Sequence, residues 1–170
     1  MPTTDFIVQT EAPSDLPEVI DLNARALGPG RFVRTAYRVR EGGGGVPSLS
    51  FTARAGVRLA GSIRFTALSV GGYAGALLLG PLVVEPDYAG QGCGRMLIAH
   101  GIDAARDQGF RLVILVGDRP YYERFGFAPV PRGQFRFPGP VNPDRILALE
   151  LDAGAMEKMQ GLVSALRDTR

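Results

Sequence analysis

The stretch that decides the fold of this chain reads Leu82-Val83-Val84-Glu85-Pro86-Asp87-Tyr88-Ala89-Gly90-Gln91-Gly92-Cys93-Gly94-Arg95. It runs from an apolar segment through a glycine-rich turn into a segment with the apolar spacing of a helix. Because Gly90, Gly92 and Gly94 have no Cβ, the backbone can turn tightly and point consecutive N–H groups at one anion. The helix start adds free N–H groups and the positive end of its dipole. We therefore predict a pyrophosphate cradle and expect a phosphate-bearing ligand.

Two other glycine-loop types fit these residues poorly. A Walker-type loop needs Gly-Lys-Ser/Thr for the phosphates and magnesium of ATP or GTP. Here Arg95 and Met96 follow the last glycine, and Lys158 is the only lysine of the chain. A dinucleotide fingerprint needs the spacing G-x-G-x-x-G, whereas this loop has G-x-G-x-G. The Walker type is excluded and the dinucleotide type is weak.

The third type is matched by two separate motifs. With Gly92 and Gly94 as its glycines, the loop resembles the Gln/Arg-x-x-Gly-x-Gly/Ala pattern of the GNAT superfamily of N-acetyltransferases. Further on, Asp118-Arg119-Pro120-Tyr121-Tyr122-Glu123-Arg124-Phe125-Gly126-Phe127 resembles the Tyr-x-x-x-Gly-Phe signature that closes the cofactor site of that superfamily. The resemblance is detailed over residues 76–130 and elsewhere follows only the order of elements. Two motifs in the right order are far more specific than one glycine loop.

One position departs from the family pattern. The Gln/Arg that opens the loop pattern falls on Ala89, so the usual side-chain contact to the cofactor phosphates is absent. The backbone donors remain, and Gln91 and Arg95 could supply compensating contacts.

The resemblance implies an α/β (α+β mixed-sheet) fold, the GNAT fold, with a central mixed sheet of about seven strands flanked by helices and with splayed central strands. At 170 residues, 45% of them apolar, we expect one N-acetyltransferase domain over residues 1–170. The single cysteine excludes an internal disulfide and supplies no zinc cluster, so we expect no metal. A net charge of +2 with scattered arginines gives no case for nucleic acid. Without a secretory signal pattern or an apolar run near ~20 residues, we expect a cytoplasmic protein and no membrane partner.

Local patterns predict the elements in turn. We expect strands over 6–10, 49–55, 59–68, 76–84, 112–116, 127–128 and 145–151, with a bulge or splay at Gly80-Pro81 because proline cannot donate a ladder hydrogen bond. Helices are expected after Ser14-Asp15, over 31–40, after the glycine loop, over 121–125 and over 155–166. The run from Gly42 to Gly45 predicts a mobile loop.

By resemblance, acetyl-CoA is the co-substrate. Its pantetheine arm would lie along the backbone of Leu82, Val83 and Val84, where unpaired N–H and C=O groups are expected if the strands splay. The expected cofactor-binding residues are Leu82, Val83, Val84, Gly90, Gln91, Gly92, Cys93, Gly94 and Arg95.

Tyr122 matches the tyrosine that protonates the departing thiolate in many members, and Tyr121 beside it is the alternative. Glu85, at the end of the central strand, is the first candidate for the base. The other carboxylate candidates are Glu11, Glu41, Asp118 and Glu123, and an ordered water could replace any of them.

Several other residues carry no catalytic prediction. His100 is expected to be structural or exposed, and Cys93 to be a small loop residue rather than a nucleophile. Arg31, Arg34 and Arg38 lie at helical spacing and predict either a basic face near the acceptor entrance or a solvated face.

These patterns predict an enzyme, an acyltransferase that acetylates a primary amine of a small molecule or peptide by direct attack on the thioester. The alternative is a non-catalytic acyl-CoA-binding regulatory domain, and a longer acyl donor stays open. The variable segments 27–46 and 131–143, which set the acceptor in this superfamily, carry no substrate motif. A monomer and a homodimer are equally compatible with the sequence.

Overall fold

The computed structural model describes residues 3–28, 39 and 45–166. The strands of this part are β1 Ile7–Thr10, β2 Gly45–Ala55, β3 Arg58–Val70, β4 Tyr73–Val84, β5 Leu112–Val116, β6 Ala128–Pro129, β7 Phe135–Arg136, β8 Ile146–Glu150 and β9 Gly161–Ala165. The helices whose bounds are described are α1 Leu16–Leu27, α2 Cys93–Asp107, α3 Arg119–Tyr122 and α4 Ala155–Lys158. No helix among the described residues is both long and apolar enough to cross a membrane.

The strands form one mixed sheet. Its main path has the order β1-β2-β3-β4-β5-β8-β6, and β9 joins it beside β3, with β7 paired to β9. On the main path only β4 and β5 are parallel, and they are connected through α2 as a parallel pair requires. The predicted GNAT-type mixed sheet with helices on its faces is confirmed, and the main path has the expected number of strands.

At Gly80-Pro81 the central strand β4 contains an extra residue relative to β3. Opposite β3, Ile63 pairs with Leu82 but Phe65 pairs with Leu79, so the register shifts by one position around Gly80-Pro81. Since side chains alternate between faces, such a bulge reverses which face each later residue occupies. The predicted bulge is therefore confirmed, and it determines which face of the sheet each side chain at the end of β4 occupies.

The packing shows this reversal directly. Before the bulge, Leu77 and Leu79 belong to the hydrophobic core beneath α2. After it, Leu82 and Val84 pack against that same core, while Val83 packs with α1 on the opposite face. Glu85, two residues after Val83, lies on the same face as Val83 and points toward α1.

The two faces carry separate cores. Leu97, Ile98 and Ala105 of α2 are fully buried against the sheet on one side. On the other side, Val19 and Leu22 of α1 are buried against Leu59 and Val83. Helix α2 thus packs through the apolar face that its spacing predicts, whereas α1 packs through Val19 and Leu22 and leaves Ile20 exposed.

The predicted helix over 155–166 is wrong. Helix α4 ends at Lys158, and Gly161–Ala165 form strand β9, which pairs antiparallel with Leu68–Val70 of β3. Gly161 has a positive φ of 113°, a conformation that a helix does not contain, and its N–H donates to the Gln134 carbonyl at 2.9 Å. Pairing with a distant strand has overridden the local helical pattern.

Three predictions fall wholly or partly on residues that are not described. The helix over 31–40 lies outside the described residues except for Val39, which is buried. Of the predicted glycine loop, residues 42–44 lie outside, and Gly45 begins β2. The basic face of Arg31, Arg34 and Arg38 also lies outside the described residues.

Candidate active site

The loop after β4 is built around two glycines with positive φ. Gly90 and Gly92 have φ of 75° and 87°, and nothing lies within 4 Å of where a Cβ would be on either. Backbone conformation, and not lack of space, therefore requires glycine at these positions. They follow a short 3₁₀ turn at Pro86–Tyr88 and lead directly into α2.

The N-terminus of α2 has no side-chain cap. Gly92 occupies the cap position, and the first helical hydrogen bond runs from the Met96 N–H to the Gly92 carbonyl at 3.0 Å. The N–H groups of Cys93, Gly94 and Arg95 precede it and have no partner within the helix. The first turn contains no acidic residue and instead exposes Arg95. The positive end of the helix dipole and the free N–H groups both attract negative charge, so this turn is electrostatically suited to an external anion.

Gln91 does not turn its side chain toward a cradled anion. Its Nε2 donates to the Asp87 carbonyl at 3.2 Å, and its Oε1 accepts from the hydroxyl of Thr4. Arg95, by contrast, has no carboxylate partner among the residues that the structure describes. Of the two side chains expected to compensate for Ala89, only Arg95 is available.

Cys93 points into the core. Its Sγ would lie 3.0 Å from a Cβ on Gly61, and the residue is 1% exposed. Burial raises the pKa of this thiol to about 11. Only the backbone of Cys93 faces the loop, in keeping with the expectation that it is not a nucleophile.

The strands β4 and β5 separate beyond their first few residues. Their parallel pairing covers only Ala76–Leu78 against Leu112–Ile114. Leu82–Val84 remain paired with β3 but have no β5 partner. Along this segment, no strand among the described residues pairs with the edge of β4 that faces the opening between β4 and β5.

Tyr122 lies on the far side of this opening. Its ring covers Gly117, where an added Cβ would lie 2.6 Å from Tyr122 Cε2. The ring also packs edge-on against Phe127, with 6.0 Å between the two ring centres. Burial, reinforced by nearby Tyr121 and Asp118, raises the pKa of Tyr122 to about 12. The phenol is therefore protonated throughout the physiological pH range.

Tyr121 reaches the glycine loop itself. A Cβ on Gly94 would lie 2.6 Å from the Tyr121 hydroxyl, 3.6 Å from Val84 Cγ2 and 3.9 Å from Leu82 Cδ2. The Tyr121 ring meets Tyr122 edge-on at 4.9 Å. Gly94 thus leaves room for a phenol from across the opening, which is a second reason for glycine in this loop.

Glu85 is held in an ion-pair network on the α1 side. Arg25 donates to both of its carboxylate oxygens at 3.0 Å, and Arg58 lies 3.8 Å from it and 2.7 Å from Asp87. The hydrogen bonds from Arg25 lower the pKa of Glu85. Glu85 is therefore ionised at neutral pH and has a weak affinity for a further proton.

Beside this pair is a shallow depression. It is lined by three carboxylates, two guanidinium groups and one leucine: Glu18, Asp21, Glu85, Arg25, Arg58 and Leu59. Its charged lining is net negative by one unit on this count.

The remaining carboxylate candidates are paired elsewhere. Glu11 accepts from Arg64 at 2.6 Å, Asp118 lies 3.2 Å from Arg145, and Glu123 lies 3.4 Å from Arg119. Glu41 lies outside the described residues.

His100 agrees with its sequence-based expectation. It is exposed on α2 and meets the ring of Phe51 edge-on at 4.6 Å.

The structure adds two relationships that sequence reasoning missed. No sequence pattern singles out Arg25, whose partner Glu85 is 60 residues away. Tyr121 is predicted only as the alternative to Tyr122, and nothing in the sequence links it to Gly94. The sequence feature that could have indicated Arg25 is its place in the last turn of α1, the helix that packs on the same face of the sheet as Val83.

Comparison with known proteins agrees with this geometry. The model of the acetyltransferase (GNAT) domain family matches residues 47–129. YjhQ of Escherichia coli K12, an uncharacterised N-acetyltransferase, is 33% identical over 130 residues, covering 75% of this chain and 71% of the relative. The chain belongs to the GNAT superfamily of N-acetyltransferases.

Two solved structures resemble this GNAT chain and contain the coenzyme. The GNAT family N-acetyltransferase YhbS of Escherichia coli, in complex with CoA, superposes with a TM-score of 0.81 at 26% identity, over 98% of this chain and 92% of that one. A GNAT family acetyltransferase of Brucella melitensis, in complex with acetyl-CoA, has a TM-score of 0.60 at 27% identity, over 86% and 96%. The resemblance inferred from the two sequence motifs is thereby confirmed.

Proposed function

We propose that this chain transfers the acetyl group of acetyl-CoA to a primary amine by direct attack of the amine on the thioester. The observation that carries the proposal is the opening between β4 and β5, which leads to an uncapped helix N-terminus in a chain of this superfamily. The coenzymes bound by its structural relatives support acetyl-CoA as the donor.

The backbone of the loop and the end of β4 would hold the donor. The backbone from Gly90 to Arg95 would bind its pyrophosphate through the N–H groups of the loop and of the helix start. The residues of this cradle are Gly90, Gln91, Gly92, Cys93, Gly94 and Arg95, of which Gln91 donates its N–H to the Tyr88 carbonyl at 3.3 Å and would support the turn. The edge of Leu82, Val83 and Val84 that faces the opening would pair with the amides of the pantetheine arm and donate one N–H to the acetyl oxygen.

Tyr122 would act as the general acid. When the amine nitrogen bonds to the acetyl carbon and the carbon–sulfur bond breaks, the thiolate takes the phenolic proton of Tyr122. The raised pKa of this phenol keeps the proton in place until the thiolate forms.

Glu85 would act on the amine from the opposite face of the sheet. Tyr121 and Tyr122 pack on the α2 side of the sheet, whereas Glu85 points to the α1 side. The proposed acid and the group that acts on the amine would therefore reach the thioester from opposite faces of the sheet. With its pKa lowered, Glu85 is suited to attract an ammonium ion and to orient a water through which the amine proton passes to bulk solvent. The net negative depression beside it also supports a cationic acceptor.

The nature of the acceptor is proposed only by class, a small-molecule or peptide amine. The cytoplasmic location, the monomeric or homodimeric state and the absence of nucleic-acid and membrane partners stay predictions, as does a single domain over residues 1–170.

The first experiment is calorimetric titration with acetyl-CoA, with CoA and ATP as controls. Micromolar binding of acetyl-CoA without binding of ATP supports the donor site, and failure to bind any CoA species overturns it. A panel of amines and peptides is then assayed for CoA release. If acetyl-CoA binds but no amine is acetylated, the alternative of a non-catalytic acyl-CoA-binding regulatory domain is favoured, and replacing acetyl-CoA by succinyl-CoA tests a longer acyl donor.

A further inference from the structure

The glycine loop offers few side-chain donors to a bound pyrophosphate. Ala89 is exposed and its methyl group forms no hydrogen bond. The Gln91 amide is engaged with Asp87 and Thr4. This leaves Arg95 as the available donor on the loop itself.

A further donor comes from outside the loop. The Tyr121 hydroxyl lies against the first turn of α2 at Gly94, and the side chains of Leu82 and Val84 border the same space. These are the elements that would hold the pyrophosphate and the pantetheine arm. The Tyr121 hydroxyl therefore lies where the two parts of the donor would join.

This hydroxyl is available and holds a proton that it can donate. No group among the described residues forms a hydrogen bond with it, and its ring instead contacts Tyr122, Phe125 and the Arg124 guanidinium, 5.3 Å from the ring centre. Burial raises the pKa of Tyr121 although Arg124 and Arg95 oppose the shift, so the group keeps its proton at neutral pH. Both arginines are also close enough to contribute positive potential to a phosphate placed there.

We propose that the Tyr121 hydroxyl donates a hydrogen bond to the pyrophosphate of acetyl-CoA and, together with Arg95, supplies the side-chain contact that Ala89 lacks. The inference rests on the proposed function and assigns the two adjacent tyrosines different tasks. Tyr121 binds the donor through its phosphates, and Tyr122 protonates the leaving thiolate.

The test is titration of CoA into the wild-type protein and into Tyr121→Phe, with Tyr73→Phe as the matched control. Tyr73 is 61% exposed at the start of β4, where its hydroxyl has no part in the proposed site. Loss of a hydrogen bond to a charged group is expected to weaken CoA binding about 10-fold or more in Tyr121→Phe. The control variant should bind CoA within about twofold of wild type, a difference too small for a lost charged hydrogen bond.

A second variant tests the compensation for Ala89. A glutamine at this exposed position would provide a donor on the loop, so Ala89→Gln should restore CoA binding in Tyr121→Phe by a larger factor than it improves the wild type. Equal improvement in both backgrounds overturns the compensation.

The outcomes separate the two proposals. If wild-type protein binds CoA and Tyr121→Phe binds it equally well, the role of Tyr121 is overturned and the proposed function stands. If wild-type protein binds no CoA, the proposed function fails. Thermal unfolding of each variant establishes that the proteins compared are folded.

Discussion

Arg25 of α1 donates hydrogen bonds from its two terminal nitrogens to the two carboxylate oxygens of Glu85, and each hydrogen bond is 3.0 Å long. This bidentate pair joins the last turn of the helix to the end of β4. It exists because the bulge in β4 directs Glu85 to the α1 face. The geometry fixes the carboxylate in one orientation and keeps it charged.

Replacing Arg25 by methionine removes the guanidinium and keeps most of the apolar stem. We expect the pKa of Glu85 to rise toward its ordinary value of 4.5. A lowered folded-state pKa contributes stability above the unfolded value and loses it as the pH falls through the folded value. The wild type should therefore lose more unfolding free energy between pH 7 and acidic pH than Arg25→Met does.

Urea unfolding at several pH values measures this difference. Arg106→Met is the matched control because Arg106 forms an exposed pair with Asp103 at 3.5 Å on α2. Equal acid sensitivity of wild type and Arg25→Met would show that the pair does not set the pKa of Glu85.

Tyr122→Phe removes the proposed acid while keeping the ring that covers Gly117. With a productive amine, we expect kcat to fall about 100-fold or more, the effect typical of a lost general acid. Since the pKa of Tyr122 is about 12, wild-type kcat should show no alkaline decline due to this group below pH 10. Steady-state kinetics from pH 6 to 10 test both points, and an unchanged kcat in Tyr122→Phe removes the residue from the mechanism.

The thiol of Cys93 should be unreactive in the folded protein. Its pKa of about 11 and its burial leave little accessible thiolate at pH 8. A chromogenic disulfide reagent should label the native protein slowly and the guanidinium-unfolded protein rapidly, at the single cysteine of the chain. Fast labelling of native protein would mean that the start of α2 opens readily.

The raised pKa of Cys93 also predicts a direction for alkaline stability. A group that holds its proton more tightly when folded contributes stability below its unfolded pKa, and this is lost as the pH rises toward the folded value. Between the ordinary value of 9.0 and about 11, the unfolding free energy should fall with pH. In Cys93→Ala this fall, measured by urea unfolding, should be smaller than in the wild type. An identical pH dependence of the two proteins would show that the Cys93 thiol does not cause the fall.

Gly94→Ala tests the contact between the loop and Tyr121. The new Cβ would lie 2.6 Å from the phenolic oxygen, so the ring must move, and we expect a loss of about 1–3 kcal/mol in unfolding free energy from overpacking. Adding Tyr121→Phe removes the clashing oxygen and should restore part of this loss.

The comparison needs both single variants and the double variant, each measured by urea unfolding. Additive losses in the double variant would show that the two side chains do not meet. Gly109→Ala provides a control at a glycine with open space around it, where any loss comes from its positive φ of 83° alone.

The parts of the fold that were predictable from sequence are those fixed by local chemistry. Glycines with positive φ at positions 90 and 92, and proline at 81, each impose a backbone requirement that can be read without any partner. The apolar spacing of α2 and the short apolar run of β5 likewise depend on neighbours in sequence.

What escaped prediction depends on distant partners. Residues of β9 are a strand because they pair with Leu68–Val70, and the local pattern over 155–166 favours a helix equally well. The choice of Arg25 as the partner of Glu85, and the reach of Tyr121 to Gly94, follow from how the helices and strands are placed. Such contacts appear only after the sheet is assembled.

The extra residue in β4 also sets the conditions under which this strand can change during evolution. Upstream of Gly80 the odd-numbered positions Leu77 and Leu79 face α2, and downstream the even-numbered positions Leu82 and Val84 do. A descendant that lost this residue would exchange the two faces over the whole end of the strand, placing a charged side chain against a hydrocarbon core. Single substitutions on the α1 side can accumulate without such an exchange. We therefore expect β4 to tolerate point substitutions on its α1 side far better than a single-residue deletion at Gly80-Pro81, which would turn Glu85 toward the core beneath α2.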